Sequence, residues 1–389
     1  MSITLPGPTL GVVGGGQLGR MLAEAASPLG VELIVLDPTP DPPAAPVVRD
    51  TIVADFDDPE GIDALAERVD ALTFEIELAD PDLLAEAAAK HDIPVHPDPD
   101  TLRTIQDKLV QKEALAEAGI PVPEFVGVAT AEGLERVAEE FGGVMLKARE
   151  GGYDGRGNVP VEEPTDAADA LAEVGGHAMA ERLIPFEREL AVMGVRGANG
   201  ETRTYPVTET LHREEILRES MTPARAADPV VAEAESIARD VLEQLDGRGV
   251  FGIELFETPD GDILVNEIAP RPHNSGHWTI EGAATSQFEN HARAVLGWPL
   301  GPTDLRTPAV TANVLGDVDE PRPATLRGVE TVLDAPDADL HWYGKDEARP
   351  LRKMGHLTVT GDEGPQNGGD REALLAHARE LRDALTFRE

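Results

Sequence analysis

Between Thr9 and Val95 the chain alternates short apolar runs with amphipathic stretches, and this rhythm constrains the fold more than any other feature. Thr9–Val13 reads as a buried strand and Gly14-Gly15-Gly16 as a turn, after which Leu18, Met21, Leu22 and Ala25 fall on one face of a helix. Val31–Leu36 predicts a second strand ending at Asp37. Ile62–Val69 follows as a helix, Ala71–Phe74 as a strand, Leu83–Ala89 as a helix and Ile93–Val95 as a short strand. Strands and helices in strict alternation imply an open parallel sheet of the α/β class. The Pro-rich stretch Pro38–Pro46 is a loop rather than a domain linker, because the alternation resumes behind it.

Gly14, Gly16 and Gly19 spell G-x-G-x-x-G between a strand and a helix, and Asp37 stands 18 residues after Gly19. This is the dinucleotide fingerprint, with an acid placed for a ribose hydroxyl, and it raises an NAD-dependent oxidoreductase as one reading. Two others stand beside it. The glycines can simply permit a tight turn, or the helix N-terminus can receive a different phosphate, since its free N–H groups and dipole favour any anion.

The charge narrows the partners. With 33 basic and 73 acidic residues the formal charge is −40, which excludes nucleic-acid binding through a general basic surface and attachment to anionic membranes. No apolar run approaches the roughly 20 residues of a membrane span, and the first residues show no secretion signal, so a cytoplasmic location is expected. Zero Cys removes disulfides, thiolate metal sites and a Cys nucleophile together. The acids are spread along the whole chain, as suits a solvated surface in a salt-rich cytoplasm, where a Debye length of ~3 Å at 1 M quenches self-repulsion. Only six lysines remain: Lys90, Lys108, Lys112, Lys147, Lys345 and Lys353. In so acidic a chain a retained lysine is a candidate for a specific task.

A second unit begins after His96-Pro97-Asp98-Pro99. Thr101–Ala118 predicts one helix carrying Lys108 and Lys112 a turn apart, ended by Gly119 and followed by Pro121 and Pro123. Gly142–Leu146 reads as a strand running into Lys147. The following Glu150-Gly151-Gly152-Tyr153-Asp154-Gly155-Arg156-Gly157-Asn158 is a glycine-rich loop able to close over a ligand, with Tyr153, Asp154 and Arg156 offering stacking, an acceptor and a cation. It lacks the Gly-Lys-Ser/Thr of a Walker loop. Glu181-Arg182-Leu183-Ile184 ends another strand, and Glu189 lies eight residues beyond Glu181.

Val250–Glu257 and Ile263–Ile268 flank the turn signal Pro259-Asp260-Gly261. If Asp260-Gly261 forms a two-residue hairpin turn, Glu254 stands opposite Glu267 with both side chains on one face. Like charges so opposed, about 5 Å apart at Cβ and flanked by Ile253, Leu255, Val265 and Ile268, destabilise a sheet. A bridging cation such as Mg²⁺ relieves the repulsion. A three-residue turn would shift the pairing by one and spoil the geometry. Directly afterwards Pro270-Arg271-Pro272-His273-Asn274-Ser275-Gly276-His277-Trp278 concentrates polar chemistry in the manner of an active-site loop. Tyr343-Gly344-Lys345 and Arg352-Lys353-Met354-Gly355-His356 gather cations that suit a phosphate partner. Asp370–Leu385 predicts a closing amphipathic helix.

These residues carry a resemblance. Gly-Gly-Tyr-Asp-Gly-Arg-Gly at 151–157, Phe-Gly-Ile-Glu-Leu-Phe at 251–256, Asn-Glu-Ile-Ala-Pro-Arg-Pro-His-Asn-Ser-Gly-His at 266–277 and Lys-Met-Gly-His at 353–356 resemble the N5-carboxyaminoimidazole ribonucleotide synthase family. That family belongs to the ATP-grasp superfamily and is the ATPase component of phosphoribosylaminoimidazole carboxylase. The resemblance covers essentially the whole chain. It implies an α/β chain (α+β overall): a Rossmann-like open-sheet domain over 1–100, an ATP-grasp domain over 101–300 and a small C-terminal domain over 301–389. Within the ATP-grasp domain it implies a glycine-rich flap at about 121–186.

The implied reaction is ATP-, Mg²⁺- (or Mn²⁺-) and bicarbonate-dependent carboxylation of 5-aminoimidazole ribonucleotide in purine biosynthesis, through carboxyphosphate. A homodimer passing its product to a mutase is implied as well. By the resemblance, Lys108 and Lys147 contact ATP phosphates, Glu181 the adenine amine, the Leu183–Ile184 backbone the adenine ring, and Glu189 the ribose; Asn266 joins them at the nucleotide. Glu254 and Glu267 match metal ligands. Arg271, His273 and Asn274 match the positions that handle bicarbonate and carboxyphosphate. Glu75, Tyr153, Asp154, Arg156, Lys345 and Arg352 match positions around the aminoimidazole ribonucleotide, whose end of the cleft the Gly14–Gly19 turn would face.

Some positions depart from the pattern. Thr210 and Glu215 stand where Asn and Gly are more usual, and Leu351 replaces a common Gly before Arg352, which puts the local loop conformations in question. Ala269, where many ATP-grasp enzymes place an Asn ligand, favours this family over biotin carboxylase-like relatives. A sister enzyme such as formate-dependent glycinamide ribonucleotide transformylase would keep the ATP residues and change the acceptor.

Overall fold

The computed structural model describes residues 3–151, 157–361 and 371–388. Its first unit is a four-stranded parallel sheet in the order Asp50–Val53, Glu32–Asp37, Thr9–Val13, Ala71–Phe74. The strand Asp50–Val53 went unnoticed in the sequence because it is short and at most half-buried, with only Ile52 of its residues packing on the core. The expected strand Ile93–Val95 contributes only a parallel bridge between Val95 and Leu72.

Asp-Pro pairs start three of the helices. Asp58, Asp80 and Asp98 cap the helices Pro59–Ala66, Pro81–His91 and Pro99–Gln106, each carboxylate accepting backbone N–H bonds from the first turn while proline occupies the first helical position. Proline has no N–H to lose there, and the acid satisfies a donor that would otherwise stay free, worth about 1 kcal/mol each. Part of the excess negative charge therefore has a local structural use.

The expected helix Thr101–Ala118 is two helices, Pro99–Gln106 and Lys108–Glu117. Asp107 breaks it: its backbone is extended and its carboxylate caps the second helix through the N–H groups of Leu109 and Val110. A bidentate Arg149 pairs with the same carboxylate. The break puts Lys108 at a helix start, where it is free of the i→i−4 ladder and is turned toward the strand bearing Glu267.

Two further sheets follow. One is antiparallel throughout, in the order Phe125–Val128, Ala178–Arg182, Val144–Ala148, Asn158–Val161. The other, nine-stranded among the described residues, runs Ile263–Ala269, Gly249–Glu257, Arg188–Arg196, Thr208–Arg213, Ile216–Thr222, Ala309–Leu315, Lys353–Thr360, Ala338–Trp342, with Thr202–Thr204 also on Arg188–Arg196. Strands from either side of residue 300 pair directly, Ser220 opposite Thr311, so the last part of the chain extends the same sheet. The helix Arg371–Asp383 packs on it through Leu375, Ala378 and Leu381, where Arg379 and Arg382 clasp the fully buried Glu219.

The left-handed backbone that glycine usually supplies is retained at two of the departures: Glu215 has φ 58° and Leu351 φ 61°. The loops keep their conformation and accept a strain of about 1 kcal/mol at each residue.

Candidate active site

At the first sheet the chain order reverses between Thr9–Val13 and Ala71–Phe74, the place where open sheets bind ligands. Here the protein fills its own anion site. The Glu75 carboxylate accepts the N–H groups of Gly16 and Gly19, so the helix N-terminus that would hold a dinucleotide pyrophosphate already holds an acid. Asp37 is committed as well, accepting Gly15 N–H at 2.9 Å and Thr39 N–H at 2.8 Å. The dinucleotide reading of G-x-G-x-x-G fails on both counts. Burial pushes the Glu75 carboxyl up to about 7, against the pull of the two N–H groups and of Arg271.

The Glu254–Glu267 pairing is present, but by a route the sequence did not suggest. The turn is not a two-residue one: Glu257 pairs with Ile263 and Thr258 N–H donates to the Asp262 carbonyl, leaving Pro259-Asp260-Gly261 as a three-residue loop. That shifts Leu255 opposite Val265. A β-bulge at Asn266 then inserts one residue and restores the register, so that Glu254 faces Glu267. Bulges re-aim side chains, and this one turns the Asn266 Oδ1 to accept from Lys147 Nζ at 3.0 Å.

Around the paired acids stand the lysines. Lys108 Nζ lies 2.6 Å from Glu267 Oε1. Enclosure would raise the Glu267 carboxyl, yet the adjoining Lys108 ammonium holds it down at about 2. Burial, helped by the charge of Glu267, pushes Glu254 upward even though protonated His212 would oppose it. The pair is therefore unequal: Glu267 is in direct contact with the Lys108 ammonium, whereas Glu254 has the His273 ring at 3.8 Å. Two carboxylates on one strand pair are a donor set that fits a hard divalent cation.

Behind them lies a second cluster. The Glu181 carboxylate, 2% exposed, has Lys147 Nζ 2.7 Å from one oxygen and Lys112 Nζ 2.7 Å from the other. Lys112 also donates to the Val265 carbonyl at 2.7 Å. Burial lowers the Lys112 ammonium to about 8 against the attraction of Glu181.

The loop after Ala269 supplies the remaining wall. Arg271 forms a two-pronged pair with Glu77, both contacts at 2.9 Å. His273 is fixed from several sides: Gln287 bonds its backbone N–H and carbonyl at 2.9 and 2.7 Å, and its ring meets Ser275 Oγ at 2.9 Å. The ring can reach the strand only because residue 252 is glycine; a Cβ there would lie 2.6 Å from the His273 Cβ. Asn274 is 8% exposed, and both ends of its amide are buried with no hydrogen-bond partner among the described residues. A buried amide costs about 1–3 kcal/mol when left unpaired, so this one is poised for a ligand. Lys108, Glu254, Glu267, Arg271, His273 and Asn274 all line one cleft of about 730 Å³.

The other expected residues lie around it. Glu189, on the strand Arg188–Arg196, meets His212 at 2.9 Å. Leu183 and Ile184 follow the strand Ala178–Arg182, and the Ile184 carbonyl accepts Phe186 N–H. Glu75, Lys345 and Arg352 are not among the lining residues of that cleft. Lys345 donates to the Lys353 carbonyl at 2.6 Å and Arg352 to the Glu347 carbonyl at 2.8 Å. Tyr153, Asp154 and Arg156 lie outside the described residues. The basic cluster near the end is partly packing: His356 stacks between His277 and His341 and bonds the Tyr343 hydroxyl at 2.8 Å.

Sequence reasoning missed Glu77 and the place of Lys353 in the cleft wall, and it gave Lys112 no partner, whereas the structure sets it on Glu181. Glu77 had a signal, since it follows a parallel strand at its C-terminal end, where ligands gather. Lys112 had one too, lying one helical turn from Lys108 in a chain with six lysines.

A nucleotide-sized cleft, floored by an antiparallel hairpin with two opposed acids and lined by Lys108 from a helix start and Lys353 from the large sheet, with Lys147 of the small sheet held at Asn266 behind the acids, defines an ATP-grasp enzyme. The ATP-grasp domain family matches residues 113–288, the ribonucleotide synthetase preATP-grasp domain residues 8–106, and the phosphoribosylaminoimidazole carboxylase C-terminal domain residues 309–366. N5-carboxyaminoimidazole ribonucleotide synthase of Brucella melitensis is 41% identical over 91% of this chain and 96% of its own length. The Thermotoga maritima N5-carboxyaminoimidazole ribonucleotide synthetase structure is 42% identical, with a TM-score of 0.87 over 97% of this chain and 99% of that one. An Aspergillus clavatus synthase in complex with ADP and 5-aminoimidazole ribonucleotide is 36% identical, with a TM-score of 0.88 over 97% and 98%. The chain spans about two thirds of the fungal phosphoribosylaminoimidazole carboxylases it matches, for example 66% of the Ogataea methanolica protein at 42% identity over 90% of this chain. The chain belongs to the N5-carboxyaminoimidazole ribonucleotide synthase family, whose members are ATP-dependent ligases.

Proposed function

We propose that this chain carboxylates the exocyclic amine of 5-aminoimidazole ribonucleotide, consuming ATP and bicarbonate, to give N5-carboxyaminoimidazole ribonucleotide for purine synthesis. The observation that carries the reading is the opposed Glu254–Glu267 pair with Lys108 and Lys147 beside it, at the floor of a cleft whose wall presents the unpartnered Asn274 amide. The acceptor follows from the Aspergillus clavatus relative, which binds ADP and 5-aminoimidazole ribonucleotide.

Bicarbonate oxygen attacks the γ-phosphorus, ADP leaves, and carboxyphosphate forms. It then breaks to CO₂ and phosphate, and the amine adds to CO₂ with loss of one proton. Glu254 and Glu267 would hold Mg²⁺ or Mn²⁺, which when bound neutralises phosphate charge. Phosphoryl transfer is mainly positioning and charge neutralisation. Lys108 and Lys147 contact the phosphates; Glu181, Leu183, Ile184, Glu189 and Asn266 seat the nucleoside. Lys147 leaves Glu181 for phosphate, which frees a carboxylate oxygen for the adenine amine. Arg271, His273 and Asn274 orient bicarbonate and carboxyphosphate. Glu75, Tyr153, Asp154, Arg156, Lys345 and Arg352 surround the acceptor nucleotide. Carboxyphosphate is labile in water, so the cleft has to exclude water while the intermediate exists. The organisation is a 1–100 unit, a 101–300 ATP-grasp unit with its flap near 121–186, and a 301–389 unit.

The enzyme works as a cytoplasmic homodimer that hands its product to a mutase, in a salt-rich cytoplasm for which the −40 charge is suited. No described helix is long and apolar enough to cross a membrane. Phosphate release from ATP, Mg²⁺ and bicarbonate, with and without aminoimidazole ribonucleotide, tests the substrate; no stimulation by that nucleotide would refute it. Equal turnover in Glu267→Ala would refute the metal site. A melting midpoint that is unchanged or higher in low KCl than in multimolar KCl would refute the salt adaptation.

A further inference from the structure

The reaction proposed above uses Lys108 and Lys147 and leaves Lys112 without a part. Yet Lys112 is one of only six lysines and is 1% exposed. An ammonium is among the most costly groups to bury, and it is tolerated only with close partners. Its partners are specific: Glu181 Oε2 at 2.7 Å and the Val265 carbonyl at 2.7 Å, the latter on the strand that carries Asn266 and Glu267. The other Glu181 oxygen is held by Lys147, again at 2.7 Å. Two ammonium groups thus share one carboxylate, and the cluster carries one surplus positive charge.

From this geometry we infer that Lys112 is a positioning residue for nucleotide binding: it neutralises Glu181 permanently, so that Lys147 can carry its charge to the phosphates. The inference rests on the reading that Lys147 contacts phosphate. With Lys112 present, Glu181 stays paired when Lys147 departs, and no lone buried carboxylate is created. Without Lys112, Lys147 and Glu181 form a neutral pair, and moving Lys147 to a phosphate strands an uncompensated buried acid, which is strongly unfavourable. Lys112 is anchored for this task on both sides, by the carboxylate and by a main-chain carbonyl, and never reaches the cleft itself, whose lining residues do not include it.

The test is calorimetric titration of the full chain with adenosine, ADP and Mg-ATP, read as the ratio of ADP to adenosine affinity. Lys112→Met lowers that ratio by about tenfold or more, the scale of losing one nearby unit charge in a partly screened site, while adenosine affinity is maintained. Lys112→Arg keeps the ratio near that of the parent. The double variant Lys112→Met/Glu181→Gln restores it, because Lys147 is again an unneutralised cation. A merely structural lysine would weaken adenosine and ADP equally, and the double variant would not recover; either result overturns the inference. Lys147→Met separates this from the underlying reading. If Lys147→Met leaves the ratio unchanged, the phosphate role of Lys147 fails. If Lys147→Met lowers the ratio and Lys112→Met does not, the role of Lys112 fails alone. Should Lys112→Met not fold, Lys112→Gln, which can still donate to the Val265 carbonyl, carries the same comparison.

Discussion

Replacing Gly252 by alanine adds one methyl group and should cripple the enzyme. Gly252 is buried in the strand Gly249–Glu257, two residues before Glu254. Its new Cβ would stand 2.6 Å from the Cβ and 3.0 Å from the Cγ of His273, whereas carbon atoms rest at about 3.5–4.0 Å. Something must retreat by about 1 Å. The strand is held on both sides by pairing to Arg188–Arg196 and Ile263–Ala269, so the His273 loop must give way. That loop is tied by two Gln287 bonds to the His273 backbone. Overpacking of this kind costs about 1–3 kcal/mol, and a displacement of about 1 Å at a reacting group costs on the order of 10²-fold in rate. Gly252→Ala is therefore expected to melt a few degrees lower and to lose about a hundredfold in nucleotide-stimulated phosphate release, assayed well below its melting point. Turnover within threefold of the parent would show that His273 tolerates displacement and would refute its place beside the reacting carbon.

The unpartnered amide makes Asn274→Leu a variant in which stability and activity part company. Removing two unsatisfied buried polar atoms is expected to leave the melting point unchanged or higher, while activity falls on the order of 10²-fold; a large fall in melting point would mean the amide is bonded after all. Glu219 is wholly buried, and although burial would raise its carboxyl, the bonds from Arg379 and Arg382 hold it below the ordinary 4.5. A depressed folded value contributes stability above about 4.5 and loses it as pH falls below that. Glu219→Gln should thus cost about 1–3 kcal/mol at pH 7 by weakening the charged bonds from Arg379 and Arg382, of which Arg382 keeps Asp383, with the gap to the parent narrowing in melts at acid pH; a constant gap would refute the ion-pair origin. At Leu351, 38% exposed with φ 61°, glycine relieves about 1 kcal/mol of strain against its own added chain entropy. Leu351→Gly is expected to melt no lower than the parent, and a clear drop would show that the side chain packs usefully.

What the sequence determined by itself was local or periodic. Strand–helix alternation depends on neighbours within a few residues, so the parallel sheet was readable, apart from Asp50–Val53, whose residues are at most half-buried and gave no pattern. The density of Arg271, His273 and Asn274 within four positions marked the site loop for the same reason. The opposed glutamates were reached through a turn that does not exist, and the Asn266 bulge made the pairing true; a bulge answers to the partner strand, which the sequence of one hairpin cannot display. Only the tertiary structure could decide where isolated charges would go. Glu75 lies 56 residues from Gly19, Glu77 lies 194 from Arg271, and Lys112 sits on a helix while Glu181 ends a strand of another sheet. A lone charge accepts any complementary partner of suitable geometry, and in a chain with 73 acids many are on offer. Which pair forms is set by the elements that bring the two groups within about 3 Å and shut out the water that would otherwise solvate them.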